Sequence, residues 1–155
     1  MQNRDRALVL GYLITTITTE YMPLQIQYRE NPSITPEALA ELFRSAKMRR
    51  PVDDLPRLSN MIQNASLIVG AFAEDKLVGI ARAITDFSYC CYLSDLAVAE
   101  KFQKQGISSE LIKRVREKIG PGCNLVLVSA PQAMDYYPTQ GFERIENGWI
   151  VKRVP

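Results

Sequence analysis

The chain has 155 residues, enough for one domain whose single core buries roughly two-thirds of the unfolded surface, and residues 1–155 read as that one domain. Its 46% hydrophobic and 23% charged residues exclude both a disordered chain and a membrane bundle, and a formal charge of +2 with no long run of like charges argues against a nucleic-acid surface. Histidine is absent, which removes histidine triads and most zinc sites and leaves a carboxylate, a tyrosine or water as general base.

Near the start, Arg4 and Arg6 precede an apolar run at residues 7–14 that imitates a secretory leader. The run falls short of the ~20 residues a spanning helix needs. The threonine-rich residues 15–19 that follow favour a strand over a cleavage site. Residues 7–19 therefore read as an extra edge strand, an arm exchanged between subunits or an ordered leader. Either of the first two makes a homodimer the expected partner arrangement. Residues 24–28 alternate apolar and polar, which predicts a second strand with one face on the core.

Thr35 and Pro36 form a helix start, with threonine as cap and proline in the first turn, and Ala38, Leu39, Leu42, Phe43 and Ala46 then recur on one face. Pro51 ends this helix. Asp53 or Asp54 caps the next, whose apolar stripe is Leu55, Leu58, Met61 and Ile62. Between and within these helices lies a basic cluster, Arg44, Lys47, Arg49, Arg50 and Arg57. It reads as a solvated face, or as a cationic rim suited to an acceptor that carries a carboxylate or phosphate.

From Leu67 the period changes to that of strands: 67–72 and 77–83 form a hairpin about Glu74, Asp75 and Lys76, and 89–98 continues the meander. A helix over 106–119 ends at Pro121 and Gly122, and Leu125, Val126, Leu127 and Val128 form a short buried strand of the parallel kind. A short helix near Ala133 and strands at 142–145 and 149–152, turning at Asn147 and Gly148, complete the chain. The expected fold class is α/β (α+β): a mixed, mostly antiparallel central sheet flanked by helices. Cys90, Cys91 and Cys123 lack metal-ligand spacing and are odd in number, which fits a reducing, cytoplasmic setting.

The segment from Leu93 to Ser109 runs from strand through a polar turn into an amphipathic helix, the layout of a phosphate site on free helix amides. Within it, Gln103, Lys104, Gln105, Gly106, Ile107 and Ser108 resemble motif A of the GNAT superfamily of acyl-CoA-dependent N-acetyltransferases: Gln or Arg, two residues, Gly, one residue, Gly or Ala. Ser108 stands where the family carries its second small, non-polar residue. Further on, Tyr136, Tyr137, Gly141 and Phe142 resemble the family's aromatic-Tyr-x-x-x-Gly-Phe signature, with Tyr137 at the matching distance from Gly141. The resemblance covers roughly residues 67–153.

It implies acetyl-CoA as co-substrate and no metal, with the pyrophosphate on the amides of Gln103, Lys104, Gln105, Gly106, Ile107, Ser108 and Ser109. It also implies that the pantetheine arm pairs with the strand backbone at Leu96, Ala97 and Val98, in the notch where that strand splays from the one after the motif helix. Tyr137 is then the acid that protonates the departing thiolate. A phenol of pKa ~10 can give its proton to a thiolate of pKa ~8.5 without prior ionisation. Asp95 matches the acidic position some members use for the acceptor amine, as catalytic base and substrate ligand, with Tyr92 and Glu74 as alternatives; Arg49 and Arg50 belong to the region that folds over the acceptor. The implied reaction is direct transfer to a primary amine on a small molecule or peptide, without nucleic acid or membrane. A weakly catalytic acyl-CoA-binding or regulatory module and a coenzyme-free interaction domain are the other classes open to this chain.

Overall fold

A computed structural model describes residues 25–154; the strand expected at 7–19 lies outside them. The sheet has five strands in the order β1-β2-β3-β4-β5: β1 Ile26–Glu30, β2 Leu67–Ala73, β3 Lys76–Thr85, β4 Cys90–Val98 and β5 Asn124–Val126. The first four are antiparallel neighbours, and β4 and β5 run parallel. This is the mixed sheet the sequence predicts.

All seven residues of β2 are buried, because helices cover both faces of the sheet and an alternating strand would leave polar groups without water. On one face α3, Ile107–Ile119, packs Ile107, Leu111 and Val115 against Val69, Ala71, Val78 and Ala81. On the other, α1, Pro36–Ser45, and α2, Leu55–Gln63, place Leu39, Phe43 and Leu58 against Ile68, Phe72 and Ile80. Gly79 lets α3 sit close: a Cβ there would stand 3.1 Å from Ile107 Cγ2 and 3.3 Å from Leu111 Cδ1.

The caps follow the sequence. Thr35 Oγ1 accepts from the Ala38 amide at 3.1 Å, with Pro36 at the first helical position. Of the two candidate aspartates, Asp54 caps α2 by accepting from the Arg57 amide at 3.0 Å, while Asp53 pairs with Arg44 at 2.8 Å and closes the loop between the helices.

Two expectations are corrected. The fifth strand ends at Val126, because parallel pairing with β4 stops at Tyr92. Residues 142–145 and 149–152 form no strand: a cleft of about 700 Å3, lined by Leu125, Val126, Phe142 and Ile145, separates the first of them from β5. β-branched and aromatic content favours a strand only where a neighbouring edge is within reach, and here the side chains of Trp149 and Val151 are almost wholly exposed.

Candidate active site

The strand β4 pairs with β5 only from Cys90 to Tyr92, and its remaining length has no partner on that side among the described residues. The chain leaving β5 diverges, and the wedge between them is a cavity of about 490 Å3 lined by Leu96, Ala97 and Val98, by residues 127–133, by Tyr137 and by Lys47, Met48, Arg49 and Arg50. The larger cleft beside β5 holds neither Tyr137 nor the open edge of β4. The expected notch and the expected acid therefore share one cavity.

Backbone direction on that edge follows from the ladder. Ala99 donates to Val78 on β3, so the carbonyl before it, that of Val98, faces the open side. Gln103 Nε2 donates to this carbonyl at 2.9 Å. Alternation then turns the amide and carbonyl of Leu96 and the amide of Val98 toward the cavity, three polar groups of the kind a pantetheine amide can match.

The polar turn reverses the chain through two left-handed residues, Lys104 at φ 61° and Gly106 at φ 81°. Gly106 caps α3 with no side chain, and open space surrounds its absent Cβ, so the requirement for glycine is the backbone angle. Glu110 is the first residue whose amide bonds back into the helix, to Gly106. The amides of Ile107, Ser108 and Ser109 are left at the positive end of the dipole. Of the turn, only Gln103 lines the cavity; Lys104, Gln105 and the helix start follow it in the chain.

Tyr137 is held on α4, Tyr136–Thr139. Its carbonyl accepts from the amides of Gln140 and Phe142, and its ring makes edge contacts with Tyr136 at 5.4 Å and Phe142 at 5.5 Å. This explains the Gly-Phe that follows in the sequence: the chain must fold back at Gly141 to bring Phe142 against the tyrosine. Burial, and then the neighbouring Tyr136, push the Tyr137 phenol above its usual 10. It stays protonated across neutral pH.

Asp95 has a different setting from the one expected. It is fully buried. One oxygen accepts from Arg50 Nε at 2.6 Å and the other from Arg82 Nε at 2.5 Å, and Arg82 also donates to Ser94 Oγ at 2.9 Å and the Met61 carbonyl at 3.3 Å. Both oxygens face guanidinium groups, which takes Asp95 out of reach of an acceptor ammonium and makes it the joint between β3, β4 and the loop after α1. Tyr92 and Glu74 do not line the cavity either, and no carboxylate does among the described residues.

Of the basic cluster, Lys47, Arg49 and Arg50 line the cavity, while Arg44 is engaged with Asp53 and the Val52 carbonyl. Arg82 went unnoticed in the sequence. Its signal is there: one charge inside an apolar strand, matched by one charge, Asp95, in the next. The contact of Tyr136 with Ser108 was likewise missed.

Comparison with known proteins identifies the family and the fold. The family model described as "Acetyltransferase (GNAT) domain" matches residues 31–154. A probable acetyltransferase from Staphylococcus aureus superposes with a TM-score of 0.70 at 21% identity, covering 83% of this chain and 100% of that one. A putative GNAT-family acetyltransferase from Xanthomonas campestris pv. campestris does so with 0.70 at 22% identity, covering 84% and 94%. An aminoglycoside N-acetyltransferase in complex with CoA gives 0.63 at 19% identity, covering 83% and 95%. In sequence, the chloroplastic GCN5-related N-acetyltransferase 2 of Arabidopsis thaliana is 31% identical over 80 residues, which are 48% of this chain but 30% of the relative's length. The fold is that of the GNAT acyl-CoA N-acyltransferases. The chain belongs to the GNAT acetyltransferase family.

Proposed function

We propose that this protein transfers the acetyl group of acetyl-CoA directly to the primary amine of a small-molecule or peptide acceptor. The observation that carries the reading is the meeting of an unpaired β4 edge and a protonated, half-buried Tyr137 in one cavity, beside a helix start with free amides. The carbonyl of Leu96 and the amide of Val98 hold the pantetheine arm, the amides from Ile107 to Ser109 hold the pyrophosphate, and the amide of Leu96 is left to face the thioester carbonyl.

The acceptor nitrogen attacks the thioester carbonyl, whose developing oxyanion is met by an amide of the open edge. The C–N bond forms and the C–S bond breaks. The amine proton leaves to water, Tyr137 gives its proton to the departing thiolate, and solvent restores the phenol. Juxtaposing amine and thioester supplies much of the acceleration. Asp95 acts through Arg50 and Arg82 as a positioning residue.

The lack of any carboxylate among the described lining residues favours a second reading, an acyl-CoA-binding module of little activity. One experiment tests both: a thermal shift with acetyl-CoA, followed by an acetyl-CoA consumption screen across amine classes. A stability gain with turnover supports the enzyme, a gain without turnover supports the module, and no gain at saturating ligand removes both. The three free thiols, Cys90, Cys91 and Cys123, fit the cytoplasm. The open outer edge of β5 and exposed Trp149, Ile150 and Val151 support a homodimer, which light scattering tests directly.

A further inference from the structure

We infer that the acceptor is an amine that also carries a carboxylate, and that Arg49 and Arg50 recognise this group. The inference rests on the N-acetyltransferase reading and narrows its substrate class. Three cations, Lys47, Arg49 and Arg50, face the cavity, and no aspartate or glutamate among the described residues does. Asp95, the acid behind the wall, is shared by Arg50 and Arg82, so that two guanidinium charges meet one carboxylate and a positive charge is left over at the cavity wall.

The two arginines serve in different ways. Arg50 is fixed: beside Asp95 it donates from Nη2 to the Ser94 carbonyl at 2.9 Å and from Nη1 to the Arg49 carbonyl at 3.0 Å, with a quarter of its side chain exposed (26%). Three of its five N–H groups are thus spent on holding the fork still, and two remain. Arg49 is exposed, and its side chain makes no ion pair among the described residues. A fixed fork beside a free one is suited to a planar carboxylate.

These charges stand at the acceptor end of the cavity. Arg50 is bonded at Ser94, roughly 13 Å along the strand from Val98, the end of β4 that leads on to the phosphate turn. Lys47 is different: it pairs with Glu100 in the 3-10 turn that leads to that turn, and belongs to the cofactor end. A polycation such as the acceptor of the aminoglycoside-acetylating neighbours would meet like charge at Arg49 and Arg50, with no carboxylate among the described residues lining the cavity and with Asp95 already shared between two arginines. An amino acid would bring its own.

Matched acceptor pairs test this. Acetyl-CoA consumption is measured with glycine, lysine and phenylalanine, with the α-carboxamide of each, and with kanamycin. The amides have the less basic and more available amine, so chemistry alone favours them. The expected result is kcat/KM at least tenfold higher for an acid than for its amide, and lower still for kanamycin. Arg49→Ala should bring the ratio of acid to amide close to one, and Arg49→Glu should favour kanamycin over the acid; an unaltered thermal shift with acetyl-CoA shows that both variants remain folded and bind the thioester. Equal rates for acid and amide in the unaltered protein, or a preference for kanamycin, overturn the inference while leaving amine acetylation intact. Failure to acetylate any acid of the set while an amide or kanamycin is acetylated overturns it as well, whereas failure to acetylate any amine at all, or to bind acetyl-CoA, also removes the reading beneath it.

Discussion

The Tyr136 hydroxyl donates to Ser108 Oγ at 2.8 Å and lies 3.3 Å from Ser109 Oγ, tying the first turn of α3 to the start of α4. The same serine that departs from the family pattern of small, non-polar residues thus carries a link between the helix start that would hold phosphates and the helix that carries Tyr137. Tyr136→Phe should lower stability by about 1 kcal/mol and reduce kcat several-fold. Ser108→Ala should do less, because Ser109 remains as a partner. Denaturant melts and steady-state kinetics on the two variants check the order.

Tyr137→Phe keeps the edge contacts with Tyr136 and Phe142 and removes only the hydroxyl proposed as the acid. Turnover should fall by roughly 10²–10⁴ with acetyl-CoA affinity nearly unchanged. The raised pKa sets the alkaline limit. Because the folded phenol holds its proton above pH 10, activity that depends on it persists to that pH and declines beyond it; a decline centred on neutral pH would remove Tyr137 as the acid. The same shift means that folding loses stability as pH rises from 10 through the folded value, since the unfolded tyrosine ionises first.

Asp95→Ala leaves the buried Arg82 without its carboxylate and should destabilise the fold by about 3–5 kcal/mol, with Asp95→Asn intermediate. A catalytic base would behave otherwise, losing activity with its melting curve in place. Urea denaturation of both variants distinguishes the two roles.

No carboxylate among the described residues lines the cavity, so on the proposed reading the acceptor releases its proton to water and the acid limb of kcat/KM should follow the acceptor's own amine. The α-amine of a peptide or an amino-acid amide should give an inflection near pH ~8 and a lysine-type amine one near ~10.4. Rate profiles for two acceptors of different basicity measure it. A common inflection for both would indicate a protein base.

The antiparallel meander and the helix starts were legible because each rests on local rules: a threonine ahead of Pro36, an unbroken apolar run from Leu67, a glycine that tolerates φ 81° ahead of a helix; the notch was implied by the family resemblance. Tyr137 was legible through its spacing to Gly141, which the fold uses to return Phe142 to the ring. Asp95 was misjudged because a sequence shows an acid beside a motif but not the arginines that face it, which come from positions 50 and 82. Residues 142–152 have the composition of strands, yet pairing depends on where β5 ends and how the chain leaves it, and neither is written in the segment itself.

An unzipped strand in the middle of a sheet leaves part of the molecule's own hydrogen-bond inventory unspent. On the proposed reading, the coenzyme is the final piece of secondary structure, a non-peptide strand laid against β4. Amide exchange at Leu96 and Val98 should then slow on loading, and catalytic competence would arrive together with completion of the architecture.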